Sequence, residues 1–245
     1  MEIALTAKRV LITGACGGIG KALIKKVIDC KGFVIALDVR SDQLRLLNEE
    51  FVGNIETICV DLNDWNAVIK ALNCISRIDL LVNSAGICLL ESVGAVTQQA
   101  VDRQLSLNVN ALINISQTVA QQWIKTKTKG VIVNISSQSS MRALKDHVVY
   151  CATKGAVDQI TRVMALELAQ HHIRVNAVNP TVVWTDLAKI VWADPVVSGA
   201  MKSRIPMGRF AEPEEVADAV VFLLSERSSM ITGVTLPVDG GFLAT

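Results

Sequence analysis

A glycine-rich junction between a strand pattern and a helix pattern constrains the fold of this chain more than any other feature. Residues 9–13 form a short apolar run, residues 14–20 contain four glycines, and residues 21–28 have helical spacing. A second apolar run at 33–37 ends at Asp38. Glycines at such a junction permit a tight turn, and the helix start offers free N–H groups to a phosphate. Glycines alone also mark ordinary turns, but in this order they predict a dinucleotide-binding βαβ unit.

Strand and helix patterns alternate along all 245 residues without a linker or an internal repeat. The hydrophobic fraction of 51% is high, as is typical of parallel strands that are buried on both faces. The sequence therefore predicts an α/β fold in which a doubly wound parallel sheet forms a single domain over residues 1–245. Strands are expected near 9–13, 33–37, 55–60, 78–82, 130–135, 173–178 and 234–238.

The only tyrosine, Tyr150, precedes Lys154 by one helical turn. Residues four apart lie on the same helix face, and a cation beside a phenol favours the phenolate, which lowers the phenol pKa from about 10. The pair then forms an acid/base centre, although a buried tyrosine next to a lysine that reaches solvent has the same spacing. Residues 131–137 predict a buried strand that ends in hydroxyl groups, so Ser137 is expected to face the same substrate oxygen.

Several motifs together resemble those of the short-chain dehydrogenase/reductases over essentially the whole chain. They are Thr13-Gly14-x-x-x-Gly18-x-Gly20, Asn83-Ser84-Ala85-Gly86, Asn108, Ser137, Tyr150, Lys154 and Asn179-Pro180. The resemblance implies a Rossmann fold, a nicotinamide cofactor and hydride transfer to or from a carbonyl or secondary alcohol. Residues 59–65, 163–168 and 173–183 resemble those of members that act on a small sugar or a dicarbonyl.

The resemblance also implies a catalytic set of Ser137, Tyr150, Lys154 and Asn108. Ser137 and Tyr150 would bind the substrate oxygen, with Tyr150 as the proton donor. Lys154 would bind the ribose hydroxyls of the cofactor. Asn108 would hold a water that relays protons, although its place in a helix pattern fits an ordinary hydrogen-bonded amide equally well.

Cofactor contacts are expected along the carboxyl ends of the strands. Asp61 is expected at the adenine, Asn83 and Ala85 in the groove, and Val183 and Thr185 at the carboxamide. Ser84 stands where the family has a second asparagine, which leaves the fine structure of that strand end open. The full set is Gly14, Gly18, Ile19, Gly20, Asp38, Asp61, Leu62, Asn83, Ala85, Tyr150, Lys154, Val183 and Thr185.

Asp38 is expected to decide which cofactor is used. It ends the second strand, at the distance from the glycine motif where an acid accepts hydrogen bonds from the adenosine ribose. A 2′-phosphate there would meet like charge, and Gly17 supplies no compensating cation. The sequence therefore predicts a preference for NAD(H). NADP(H) is the alternative, if Arg40 swings over the adenine and Asp38 turns away.

Residues 184–210 interrupt the alternation with a long apolar insertion that follows a strand. Such a segment is placed to cover a pocket and exclude water, so it is the expected substrate loop, with a surface helical hairpin as the alternative. By resemblance, Leu144, His147 and Trp192 join Ser137 and Tyr150 as substrate contacts. His147 equally fits a structural histidine at a helix start.

Composition argues against several other classes of protein. Net charge is +1 with dispersed Lys and Arg, no apolar run approaches the ~20 residues of a membrane span, and the first residues lack a signal-peptide layout. A soluble cytoplasmic protein is expected, with a small-molecule substrate and neither nucleic-acid nor membrane partners. Residues 235–238 with Gly240 and Gly241 resemble a segment between subunits of tetrameric relatives, which predicts a homotetramer.

The six cysteines show no metal-ligand spacing, so no metal site is expected. The cysteines are expected to be reduced and mostly buried thiols. Cys16 at a helix start fits either a thiol of depressed pKa or a small residue tolerated in the loop. Two other functional classes stay open. A nucleotide-sensing scaffold would lack the Ser137, Tyr150 and Lys154 set, and an extended epimerase would need a further domain.

Overall fold

Seven parallel strands form one sheet in the computed structural model, which describes residues 3–245 apart from the side chain of Leu187. The strand order is β3-β2-β1-β4-β5-β6-β7. All seven predicted strands are confirmed, and β4 begins two residues later than expected. The strands are β1 (Arg9–Thr13), β2 (Phe33–Asp38), β3 (Ile55–Cys59), β4 (Leu80–Asn83), β5 (Gly130–Ile135), β6 (Ile173–Pro180) and β7 (Thr235–Val238).

Helices connect the strands and cover both faces of the sheet. They are α1 (Gly18–Asp29), α2 (Ser41–Glu50), α3 (Trp65–Asn73), α4 (Gln98–Leu105), α5 (Ala111–Thr126), α6 (Val148–Leu168), α7 (Asp186–Val191), α8 (Pro195–Lys202) and α9 (Pro213–Leu224). In the described part of the chain, no helix is both long and apolar enough to cross a membrane. The predicted doubly wound parallel sheet in a single domain is confirmed.

The core lies in two layers because successive side chains of each strand point to opposite faces. On β1, Val10 and Ile12 pack with residues of α1 and α9, whereas Leu11 packs on the other face with residues of α3 and α5. Each strand is therefore apolar on both faces, which explains the continuous apolar runs in the sequence.

The strand order reverses between β1 and β4, and this reversal positions the site. Thr13 at the end of β1 is paired with Leu37 of β2 on one side and with Asn83 of β4 on the other. The connections leave these two neighbours in opposite directions, which opens a crevice at the carboxyl ends of the strands. The predicted cofactor residues follow these strand ends.

The insertion at 184–210 folds into α7 and α8, and its role as a substrate loop stays a prediction. Beneath these helices lies a third, smaller apolar cluster. Its buried members are Met201, Ile205, Phe210 and Phe242. A small core of its own therefore attaches the insertion to the carboxyl edge of the sheet.

Candidate active site

Three glycines shape the turn between β1 and α1. Gly14 has a φ of +64°, and a Cβ atom there would lie 2.7 Å from the Ala85 Cα atom. A Cβ atom on Gly20 would overlap the Gly14 carbonyl oxygen, and one on Gly18 would overlap the Thr185 side chain. Only glycine keeps this backbone close to its neighbours, and α1 begins here with its free N–H groups. The cradle fits a dinucleotide pyrophosphate.

The ends of β1 and β4 are joined by the Thr13 hydroxyl. Its oxygen accepts hydrogen bonds from the backbone N–H groups of Ser84 (3.1 Å) and Ala85 (3.2 Å). Since these bonds come from the backbone, the serine at position 84 leaves this strand end tied to β1. The role of Thr13 was not predicted, although it belongs to the quoted motif.

Asp38 ends β2 with only 5% of its surface exposed. The carboxylate accepts hydrogen bonds from the Cys16 N–H (3.0 Å), from Arg40 Nε (2.9 Å) and from Arg40 Nη2 (3.1 Å). Burial opposes its ionisation, but the bonds from Arg40 and Cys16 outweigh burial and hold the pKa of Asp38 below its usual range. Asp38 is therefore an anion paired with Arg40 in this structure, and the choice between the two cofactors stays a prediction.

The Cys16 thiol does not have the depressed pKa that its position at a helix start suggested. Burial, reinforced by the neighbouring Asp38 carboxylate, raises the pKa of Cys16 to about 11. The expectation of mostly buried thiols is also wrong. Cys16 is buried, but Cys59, Cys74 and Cys88 are exposed.

Two further predicted cofactor residues have their side chains engaged within the protein. Asp61 Oδ1 accepts hydrogen bonds from the backbone and side-chain nitrogens of Asn63, both at 2.9 Å. Asn83 Nδ2 donates to Ser116 Oγ (2.9 Å) and to Asn134 Oδ1 (2.8 Å). The Asn83 side chain therefore links β4 to β5 and α5. Contact of Asn83, Asp61 and the buried Leu62 with a cofactor stays a prediction.

The predicted catalytic groups converge beyond the end of β5. Ser137 follows that strand, and Tyr150 and Lys154 share one face of α6. Lys154 Nζ donates to the Ile135 carbonyl oxygen at 2.9 Å and lies 5.6 Å from the centroid of the Tyr150 ring. The Ser137 hydroxyl interacts with the Tyr150 phenol. The structure thus brings the three groups together at the mouth of the crevice.

The ionisation of Tyr150 and Lys154 differs from the sequence expectation. Burial raises the pKa of Tyr150 well above its usual value, and the Ser137 hydroxyl opposes this only in part. Burial also lowers the pKa of Lys154 to about 8. The expectation that the lysine lowers the phenol pKa is therefore wrong for this structure, because loss of solvent dominates. The phenol is protonated at neutral pH and can donate a proton.

Asn108 lies in a π-helical turn, Ser106–Asn110, between α4 and α5. Its Oδ1 accepts from the Ile87 N–H and its Nδ2 donates to the Ile87 carbonyl oxygen, both at 2.8 Å, while Nδ2 also lies 3.1 Å from Thr153 Oγ1. A Cβ atom on Gly86 would lie 3.3 Å from Asn108 Oδ1 and 3.5 Å from Lys154 Nζ. Asn108 is thus a hydrogen-bonded amide that lies across Gly86 from the lysine. The π turn was missed, and the polar break in the helix pattern was its only signal.

The predicted substrate residues fall into two groups, one beside the phenol and one on the small apolar cluster. His147 immediately precedes α6; its Nδ1 lies 2.5 Å from the Lys145 carbonyl oxygen, and its ring centroid lies 6.1 Å from that of Tyr150. Leu144 and Trp192 pack on the small apolar cluster, where the Trp192 and Phe210 rings are 5.5 Å apart. The imidazole therefore lies beside Tyr150, Leu144 and Trp192 belong to the cluster under the insertion, and the contact of all three with substrate remains a prediction.

Val183 and Thr185 connect the end of β6 to the insertion. Val183 forms an isolated bridge with Ala211, and Thr185 Oγ1 accepts the Ala188 N–H at 3.2 Å to cap α7. Because Thr185 also contacts Gly18, the start of the insertion lies against the start of α1. This places both residues next to the glycine cradle.

A cavity of about 410 Å³ lies elsewhere, at the amino-terminal edge of the sheet. Its walls include Lys8, Lys129 and Arg174, and none of the predicted site residues lines it. The converging catalytic groups and the cradle, rather than this cavity, define the candidate active site.

Comparison with known proteins agrees with this geometry. A family model described as enoyl-(acyl carrier protein) reductase matches residues 14–243. The chain is 50% identical to L-xylulose reductase of Bos taurus over 245 residues, which is all of both chains. The chain belongs to the short-chain dehydrogenase/reductase family. It is an NAD(P)-dependent oxidoreductase.

Two further members of the family extend the comparison. D-erythrulose reductase of Gallus gallus is 46% identical over 244 residues, which cover 100% of this chain and 99% of the relative. A solved gluconate 5-dehydrogenase of Burkholderia cenocepacia, in complex with NADP and tartrate, superposes with a TM-score of 0.92 at 29% identity, covering 99% of this chain and 97% of that one.

One buried group beside the family's catalytic residues was missed altogether. Asp158, one helical turn after Lys154, is 3% exposed and lies within hydrogen-bond distance of Asn179. Its spacing of four residues from Lys154 was the signal available in the sequence, since such residues share a helix face.

Proposed function

We propose that the protein reduces the carbonyl group of a small sugar or a dicarbonyl, and oxidises the corresponding secondary alcohol, through Ser137, Tyr150 and Lys154. The observation that carries this proposal is the Tyr150 phenol beside Ser137 and Lys154, at the same carboxyl edge of the sheet as the glycine cradle. The substrate oxygen accepts hydrogen bonds from Ser137 and Tyr150. Tyr150 donates its proton as negative charge develops on that oxygen. The nicotinamide cofactor supplies the hydride.

Lys154 and Asn108 complete the catalytic set in this proposal. With a pKa lowered by burial to about 8, Lys154 is mainly an ammonium at neutral pH and can bind ribose hydroxyls while remaining ready to release a proton. The Asn108 side chain is hydrogen-bonded to the Ile87 backbone and to the Thr153 hydroxyl. A water bound at this point would connect Lys154 to solvent, so the proton that Tyr150 gives up is replaced.

The substrate class is supported by the relatives and by the predicted substrate residues. The two sugar reductases are about half identical to this chain over their full length. His147 offers a hydrogen-bonding imidazole, while Leu144 and Trp192 offer an apolar surface. The insertion at 184–210, which carries Trp192, acts as the substrate loop and excludes water from the reacting groups.

We propose NAD(H) as the preferred cofactor and NADP(H) as the poorer one. Ionised Asp38 lies at the end of β2, where an acid binds the adenosine ribose. Arg40 is already bonded twice to Asp38, so its use for a 2′-phosphate would leave a nearly buried carboxylate without its cation. The predicted contacts from Gly14 to Thr185 would hold the cofactor.

We propose a cytoplasmic homotetramer whose partner is a small-molecule substrate. β7 lies at the edge of the sheet, paired with β6 alone, and its backbone is available to a second copy. On α6, Leu166 is 80% exposed and Val163 is also exposed, which forms an apolar face suited to burial between subunits.

A substrate panel tests the proposed function. Purified protein is mixed with L-xylulose, D-erythrulose, butane-2,3-dione or a simple secondary alcohol, and nicotinamide absorbance is followed with each cofactor. We expect turnover of the ketoses or the dione. Cofactor binding without turnover of any compound would favour a nucleotide-sensing protein instead and would contradict the proposal.

A further inference from the structure

Beneath the proposed catalytic groups lies a buried carboxylate without an ion-pair partner. Asp158 is 3% exposed, and no lysine or arginine of residues 3–245 lies within 4.0 Å of its carboxylate oxygens. A buried carboxylate is costly unless hydrogen bonds compensate it. Asn179 Nδ2 lies 3.1 Å from both of its oxygens and supplies such a bond. The desolvation of the Asp158 carboxylate therefore suggests that this residue has a functional role.

Asn179 links this carboxylate to the turn that carries Ser137. The side chain of Asn179 is fully buried at the end of β6, and its Nδ2 also lies 2.8 Å from Ser140 Oγ and 3.2 Å from the Ser137 carbonyl oxygen. Ser140 Oγ in turn donates to the Ser137 carbonyl oxygen at 2.7 Å. Asp158 thus fixes the orientation of an amide that holds the Ser137 turn.

The Asp158 carboxylate also interacts with the Lys154 ammonium through its charge. Asp158 follows Lys154 by four residues on α6, and both side chains are buried. Burial lowers the pKa of Lys154, whereas Cys88, from the connection between β4 and α4, and Asp158 act in the opposite direction. Tyr150 on the same helix is neutral, and Cys88 is a neutral thiol at neutral pH because burial raises its pKa to about 11. The ammonium also donates to the Ile135 carbonyl oxygen. Asp158 is therefore the carboxylate that favours the charged form of Lys154.

We infer that Asp158, acting through Asn179 and through its charge, is a positioning residue that holds the Ser137 turn and keeps Lys154 protonated. The inference rests on the proposed function, since it concerns the support of the proposed catalytic groups. Asp158 touches neither substrate nor cofactor in this role. Its removal would allow Lys154 to lose its proton at a lower pH and would loosen the turn that presents Ser137.

The test is the titration of Lys154 in the protein without cofactor. Lysine labelled with ¹³C at Cε is followed by NMR as pH is varied, and the Lys154 signal is identified by its loss in Lys154→Met. We expect a midpoint near 8 in the wild type. In Asp158→Asn the midpoint should fall by about one pH unit, as expected when an opposite charge is lost.

Two matched variants separate this effect from a general change of charge or stability. Glu167→Gln removes an exposed carboxylate from the same helix and should leave the midpoint unchanged. Asp158→Glu retains the charge and should keep the titration midpoint of Lys154 close to that of the wild type. The pH profile of kcat should move to lower pH in Asp158→Asn by the same amount as the midpoint.

Each outcome decides the inference. An unchanged Lys154 midpoint in folded Asp158→Asn, or an equal shift in Glu167→Gln, would overturn it. If Asp158→Asn does not fold, Asp158→Ser replaces it, and failure of both to fold would assign Asp158 to stability alone. An absence of cofactor-dependent turnover in the wild type would refute the proposed function while leaving the measured midpoints intact.

Discussion

At the residue scale, the proposed carbonyl reduction depends on the Tyr150 phenol, which is neutral at physiological pH. Burial raises the pKa of Tyr150, while in the proposed mechanism Ser137 supplies the second hydrogen bond to a substrate oxygen. A neutral phenol suits carbonyl reduction because the proton is already in place when negative charge develops on the substrate. The buried Lys154, with a pKa near 8, can replace that proton.

The first prediction concerns the phenol itself. Tyr150→Phe removes the proton donor but retains the aromatic ring, so cofactor affinity should change little. Loss of a general acid typically lowers the rate about 100-fold or more. Steady-state kinetics with the best compound of the panel, combined with cofactor titration by fluorescence, measures both effects. Turnover near that of the wild type would exclude Tyr150 as the proton donor.

The second prediction concerns the cofactor. Two like charges about 4 Å apart cost on the order of 1 kcal/mol in water and more in a partly dry groove. Asp38→Ser removes the carboxylate and releases Arg40, so the ratio of kcat/KM for NADPH to that for NADH should rise by about tenfold or more. Arg40→Gln serves as the matched control, since it removes the cation and should lower that ratio. A wild-type preference for NADPH would show that Arg40, rather than Asp38, controls the pocket.

At the element scale, the site depends on close contact between the start of α1 and the start of the insertion. Thr185 caps α7 and also lies where a Cβ atom on Gly18 would be. The glycine cradle and the start of the insertion are therefore in direct contact. A change at one is expected to affect the other.

The third prediction uses this contact. Gly18→Ala would overlap the Thr185 side chain, and overpacking of this kind typically costs about 1–3 kcal/mol. We expect a lower free energy of unfolding and weaker cofactor binding. Gly199→Ala in α8 is the matched control, because no atom outside the adjoining backbone of its own helix lies within 4 Å of its Cβ position. Alanine is expected to stabilise that helix by about 0.4–1 kcal/mol. Urea unfolding of both variants measures the difference, and equal effects would show that the contact at Gly18 is not close-packed.

At the scale of the whole molecule, one edge of the sheet and one helix face remain open to a second copy. β7 is paired on one side only, and α6 exposes Val163 and Leu166. The active-site face of α6 is used by Tyr150 and Lys154, so an assembly that packs the exposed face would leave the site accessible.

The fourth prediction is the proposed homotetramer. Light scattering coupled to size exclusion should give about four times the chain mass of 26.4 kDa. Leu166→Glu places a charge on the exposed face of α6 and should lower that mass, whereas Met230→Glu, at an exposed position after α9, should leave it unchanged. A monomer mass for the wild type at working concentration would refute the tetramer.

The sequence by itself determined the order of strands and helices, the glycine turn and the shared helix face of Tyr150 and Lys154. These features follow from local rules, because side-chain periodicity and the need for glycine are properties of short segments. The family motifs then predicted which strand ends carry the site. The interruption of the strand and helix alternation also marked residues 184–210, where the structure has α7 and α8.

Only the tertiary structure decided the charges and the supporting contacts. The bonds of Asp38 to Arg40 and to the Cys16 N–H were not predicted, and burial together with this carboxylate raises the pKa of Cys16. Burial reversed the direction expected for the pKa of Tyr150. The π turn at Asn108 and the link from Asp158 to the Ser137 turn join residues far apart in the chain. Solvent exclusion and long-range contacts exist only once the chain is packed, so spacing along the sequence does not determine them.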